Sequence, residues 1–259
     1  MKIYEYGIEN EKSMLMFQCS AEPSWIFFPV AEEMAKDFHV FFAAADGHNP
    51  EAKSTFESVE KYVDDAVAYV KSRGIEHLDL AYGVSMGGSA VMRLLAIKAI
   101  PVKKAIIDAG ITPYPYPLFV RKLIAAKDLV TISIGVKNMS IAKKIAPPER
   151  WTPEGEDADE FYKKLFAFLS TKDFSSKTIY NVFWSANNWH CPVEVVNTDT
   201  DIEYWYGEEE KGARKDNIAW AKKTFPGMKT VEQKGFQHAE LVMVHPKLFH
   251  EKVMRFMGE

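Results

Sequence analysis

Between Met14 and Gly110 the chain alternates short apolar runs with longer stretches of helical periodicity, and this alternation limits the folds open to it. MLMFQ (Met14–Gln18), HVFFAAA (His39–Ala45), LDLAYGV (Leu78–Val84) and KKAIIDAG (Lys103–Gly110) read as strands. Between them, Pro29–Asp37, Ser54–Ser72 and Ser85–Ile97 place apolar residues three to four positions apart, the period of a helix. In the second of these, Phe56, Val59, Tyr62, Val67 and Val70 form the stripe, and Ser54 with Glu57 fits a capping box at its start. Strands that are apolar throughout and separated by helices imply a mostly parallel sheet with helices on both faces, an α/β fold.

The pattern breaks at ITPYPYPLF (Ile111–Phe119), where Pro113, Pro115 and Pro117 can continue neither element. From there to Pro192 the periodicity is helical, most clearly in Ala158–Ser170. After SANNWHCP (Ser185–Pro192) the alternation resumes. Asp201–Gly207 reads as a strand, Arg214–Phe225 as a helix, Met228–Phe236 as a strand and Pro246–Met257 as a final helix. The predicted organisation is a core of residues 1–110 and 193–259 carrying a helical insertion at 111–192. A chain of 259 residues is long enough for one such domain.

The net charge is −4 and the sequence reads as having no basic stripe, so neither nucleic acid nor an anionic membrane is expected as a partner. No apolar run reaches the roughly 18 residues of a membrane span. The first residues, MKIYEYGIENEK, lack the apolar centre of a signal peptide. Two widely separated cysteines, Cys19 and Cys191, fit a reducing, cytoplasmic setting. The spacings His-x-x-x-His and Cys-x-x-Cys are missing, as are phosphate-cradling and dinucleotide-binding glycine motifs. No metal and no cofactor are expected.

The motif that carries chemistry is Gly83-Val84-Ser85-Met86-Gly87, a G-x-S-x-G set between a strand pattern and a helix pattern. A serine in so sharp a turn sits in strained backbone, and its neighbours two positions away must be small because strand and helix crowd them. The turn exposes the hydroxyl and leaves the first helical N–H groups unpaired, ready to bind a developing oxyanion. The plainer alternative is a glycine-rich turn with a capping serine. A serine nucleophile needs a base. Among seven histidines, His238 stands apart, because it follows the last predicted strand, and strand C-termini are where a parallel sheet gathers its ligands. The imidazole needs an orienting carboxylate, in the chain order serine, acid, histidine. Glu208 and Glu210 follow the strand ending at Gly207, and Asp108 closes the strand after the serine helix. All three remain candidates, although three successive glutamates commonly form no more than a solvated loop.

These motifs, in this order, resemble the α/β-hydrolase superfamily. VSMGG at Val84–Gly88 is similar to its nucleophile elbow. ADGHNP at Ala45–Pro50 resembles a D-x-x-G-H-G turn, WYGEEE at Trp205–Glu210 the turn carrying the triad acid, and GFQHAEL at Gly235–Leu241 the histidine loop. The resemblance implies a cofactor-free serine hydrolase of carboxylesterase or lipase-like type acting on a small ester, with Ser85, His238 and Glu210 as triad. It implies the Met86 amide as one oxyanion donor. With Cys19-Ser20 standing where the family has His-Gly, Ala21 would supply the second. The insertion falls where the family carries a lid. A triad-bearing acyltransferase, lyase or perhydrolase is the alternative reading, as is a non-catalytic ligand-binding protein on the same scaffold.

Overall fold

Every residue of Ser13–Phe17 and of Leu78–Val84 is buried, as in strands covered on both faces. The computed structural model describes residues 1–135, 138–171 and 174–258, with the side chains of residues 141, 142 and 145 set aside. Those outside it belong to the expected insertion, apart from the terminal residue 259 of the expected core. The strands are β1 (Lys2–Tyr6), β2 (Ser13–Phe17), β3 (His39–Ala44), β4 (Leu78–Val84), β5 (Val102–Asp108), β6 (Asp201–Gly207) and β7 (Lys229–Gln233). They form one sheet in the order β1-β3-β2-β4-β5-β6-β7. β1 runs antiparallel to β3, and the other pairings are parallel.

The alternation of side chains along each strand divides the core in two. Leu15 and Phe17 face α2 (Val59–Ser72), α3 (Met86–Ile97) and α9 (Lys211–Thr224). Met14 and Met16 face α1 (Phe28–Met34), α10 (Glu240–Val244) and α11 (Pro246–Met257). The segment between β5 and β6 holds α4 (Leu118–Gly135), α5 (Met139–Ile145), α6 (Pro148–Trp151), α7 (Ala158–Leu169) and α8 (Ser176–Ala186), and no strand among the described residues. It is tied to the core. Phe161 and Tyr162 of α7 join one apolar cluster and Val182 and Ala186 of α8 the other. The Val59 amide at the start of α2 donates to Ser185 Oγ at 2.7 Å. Among the described residues, no helix is long and apolar enough to cross a membrane.

The structure corrects the start of the second helix. α2 begins at Val59 with Ser58 as its N-cap, accepting from the Lys61 amide at 3.2 Å. Ser54 Oγ instead accepts from the Gly47 amide at 3.0 Å. Phe56 mimics helical periodicity because it is buried, but it lies ahead of the helix and packs edge-on against Tyr62, with ring centroids 5.9 Å apart. β1 and the short α10 have no counterpart in the expected elements; both are five-residue segments, too brief to show a period.

Candidate active site

Ser85 connects β4 to α3 with φ +57° and ψ −113°, a conformation that costs a non-glycine residue about 1–3 kcal/mol. The surrounding hydrogen bonds hold it there. Its amide donates to the Asp108 carbonyl at 2.8 Å, and its carbonyl accepts from the Ser89 and Ile111 amides at 3.2 and 3.4 Å. The glycines permit the close packing. A methyl group on Gly83 would overlap the Gly87 carbonyl, and one on Gly87 would overlap the Phe17 carbonyl. As the first residue of α3, Met86 has a backbone N–H with no partner inside the helix.

Two strands further on, the run Glu208-Glu209-Glu210 is not a solvated loop. Each carboxylate holds part of the segment Gly235–His238. Glu208 Oε2 accepts from the Gly235 amide at 2.9 Å, and Glu209 Oε2 accepts from Gln237 Nε2 at 2.9 Å. Glu210 Oε2 lies 2.7 Å from His238 Nδ1. This pairing leaves Nε2 as the free ring nitrogen. The other oxygen of Glu210 accepts from the Gly207 amide at 3.1 Å. Burial pushes the Glu210 carboxyl up. The bond and charge of His238, the charge of Arg214 and the Gly207 amide outweigh that and hold it below the usual carboxylate value.

Asp108, at the end of β5, accepts from Tyr82 Oη at 2.8 Å and makes no hydrogen bond to His238. Burial pushes its carboxyl up to about 6; Tyr82 opposes this, the charge of Glu210 reinforces it and that of His238 lowers it. Of the three acids considered, Glu210 alone touches the imidazole. Among the described residues Ser85 Oγ forms no hydrogen bond to His238. Cys19 is buried, and burial, with Glu22 and Asp108 nearby, holds its thiol well above the ordinary value.

The amide of Ala21, the expected second oxyanion donor, has a partner inside the protein. Ala21, at φ +66°, donates its amide to His48 Nε2 at 3.2 Å. His48 Nδ1 lies 3.0 Å from the Asp46 carbonyl, so Nδ1 carries the proton and Nε2 accepts. Burial lowers His48 to about 4, which keeps the ring neutral; its contacts at Asp46 oppose this. The Ala21 amide is therefore committed. The Ser20 amide, one residue earlier, meets no acceptor among the described residues.

Two supporting residues escaped the sequence reading. Arg214 Nε stands 3.2 Å from Glu210 Oε2, and its i, i+4 spacing from Glu210 on a helix was the available signal. Arg150 of α6 donates to the Gly235 carbonyl and to Glu240, both at 2.8 Å, and pairs with Glu209 at 2.8 Å. Nothing local in the sequence around Arg150 points across 85 residues to that loop.

No family model matches the sequence, and no curated protein matches it. Solved structures do. One described as a putative α/β-hydrolase family protein from Desulfitobacterium hafniense superposes with a TM-score of 0.72 at 14% identity, covering 99% of this chain and 100% of that one. The chain has the α/β-hydrolase fold. A marine microorganism esterase matches with a TM-score of 0.67 at 20% identity, over 98% of both chains. An enol-lactonase from Burkholderia xenovorans matches with a TM-score of 0.63 at 16% identity, over 100% of this chain and 96% of its own.

On this α/β-hydrolase fold, a cavity of about 450 Å³ opens between the segment Ile111–Tyr116, α4, α8 and α9. Arg214, Phe183 and Trp220 line it, whereas Ser85 and His238 do not. It adjoins the serine turn through Ile111, whose amide bonds the Ser85 carbonyl.

Proposed function

We propose that the protein is a cofactor-free serine hydrolase that cleaves a small carboxylic ester through an acyl-enzyme. The observation that carries this reading is the His238 Nδ1–Glu210 Oε2 pair of 2.7 Å, at the same end of the sheet as the strained Ser85 turn. Ser85 Oγ attacks the ester carbonyl while His238 Nε2 takes its proton and then delivers it to the departing alcohol. Glu210 fixes the ring through Nδ1–H and balances the imidazolium charge. The Met86 amide and, in place of Ala21, the Ser20 amide stabilise the oxyanion, each donor contributing about 10²–10³ in rate. Water then attacks the acyl-enzyme with His238 as base. In this reading the Ser85–His238 hydrogen bond forms when substrate binds, as catalytic hydrogen bonds are often long or poorly aligned before then.

The helical segment at 111–192 acts as a lid in this reading, and the cavity beside Ile111 takes one arm of the ester. Esterase and lactonase descriptions of proteins with the same fold support hydrolysis of an ester-type bond. The test is covalent labelling with a fluorophosphonate, followed by peptide mapping and an ester panel graded by acyl length. Label on Ser85, with turnover abolished in Ser85→Ala, is the expected result. Active protein that labels elsewhere or not at all overturns the proposal.

A further inference from the structure

Helix α4 is apolar on two sides. Its inner side packs Leu129 and Ile132 against Phe168, Phe174 and Ile179. Its outer side carries Phe119, Leu123, Val130 and Ile134, which are 67%, 66%, 58% and 56% exposed. At about 100° per residue these four fall within an arc of about 60°. Isolated apolar residues on a surface need no explanation, but a continuous stripe does. One apolar stripe anchors a helix to its domain; the second stripe of α4 is uncovered.

The charge around the stripe indicates what covers it. The chain as a whole is acidic, yet α4 holds Arg121, Lys122 and Lys127 against the single acid Asp128. On α4 itself, exposed Lys122 and Lys127 flank the stripe, about 90° and 50° from its centre. Lys127 pairs with Asp128 at 3.0 Å, an exposed contact that competes weakly with other anions. Lysines bordering an apolar stripe can lay their stems along a hydrocarbon surface while the ammonium groups remain at the level of the headgroups. A second copy docked through the same stripe about a two-fold axis would bring the two basic segments together, and like charges oppose that arrangement.

We infer that the outer face of α4 docks the protein on an anionic lipid surface, with the stripe among the upper acyl methylenes and Lys122 and Lys127 among the headgroups. This goes beyond the hydrolase reading and does not depend on it, because binding is measured without substrate. The experiment is cosedimentation of the full chain with vesicles of phosphatidylcholine containing about a quarter phosphatidylserine, compared with phosphatidylcholine alone, at low salt and at about 0.5 M NaCl. The expected result is partitioning at least about tenfold stronger on the anionic vesicles, and weakened by salt. Leu123→Ser/Val130→Ser/Ile134→Ser and, separately, Lys122→Glu/Lys127→Glu each reduce it by at least about fivefold. The charge variant keeps the stripe intact and preserves the test if the serine variant does not fold. Absence of partitioning, equal partitioning onto both vesicles, or partitioning unchanged by the charge variant overturns the inference. A dimer in sedimentation velocity that the serine variant dissociates, without vesicle binding, assigns the face to a second copy instead.

Discussion

His238 Nδ1 and Glu210 Oε2 lie 2.7 Å apart across 28 residues of sequence, whereas Asp108, near enough to feel the charge of both, bonds to Tyr82. Of the three candidate acids, the contact is made by Glu210, the one the resemblance implies. Glu210→Gln should lower kcat/KM on a p-nitrophenyl ester by about 10⁴-fold, because the imidazole loses its orienting acceptor. Glu208→Gln and Asp108→Asn should each cost less than about tenfold. If Asp108→Asn produced the large loss, the triad acid would be reassigned to it.

Arg150 bridges the insertion to the histidine loop through Glu209, Glu240 and Gly235. Glu240 is 5% exposed, and Arg150→Met would leave it without its cation. The expected loss is about 2–3 kcal/mol in denaturant unfolding, less than for a fully buried pair because Arg150 is partly in water. The double variant Arg150→Met/Glu240→Gln should recover part of that stability. In the single variant kcat should fall more than KM rises, since the loop carrying His238 loosens. Equal stability of Arg150→Met and wild type would argue that the contacts contribute nothing.

Crowding at the serine turn predicts a sharp contrast among glycines. Gly83→Ala and Gly87→Ala place a methyl group on a backbone carbonyl, and each should cost about 4 kcal/mol or more. Gly212→Ala, in α9 with nothing near its added carbon, should be neutral or stabilising by up to about 1 kcal/mol. Denaturant midpoints of the three variants make the comparison.

Glu22 sits in the same loop as Ala21, and burial pushes its carboxyl from 4.5 up to about 8. The folded state therefore keeps this proton to higher pH than the unfolded chain. The associated stability is present below about pH 4.5 and is lost as the pH rises through about 8. Glu22→Gln should melt higher than wild type at pH 9 and together with it at pH 4. Parallel melting curves at both pH values would remove Glu22 from the account.

His48 gives the opposite slope. Its folded value of about 4 lies below the ordinary 6.5, so stability is present above pH 6.5 and falls as the pH drops through about 4. Protonation would also turn Nε2 into a donor facing the Ala21 donor. His48→Gln should flatten the acid limb of melting temperature against pH; an unchanged limb would place its origin elsewhere.

Much of this molecule is set by local sequence. Leu78–Val84, Asp201–Gly207 and Pro246–Met257 form elements with the bounds their patterns imply, because long apolar runs and full helical turns carry their own period. The bend at Ser85 is equally local, since the glycines that permit it are its neighbours. A net −4 summed over the whole chain does not show the local excess of Arg121, Lys122 and Lys127 on α4, and exposure of its outer face appears only after folding. Glu210 was already marked by the turn that follows Gly207, whereas tertiary structure decided that the Ala21 amide turns to His48 and that Arg150 reaches Gly235. Each depends on a contact between distant segments whose approach is set by sheet register and helix packing, and neither leaves a period or a spacing in the sequence.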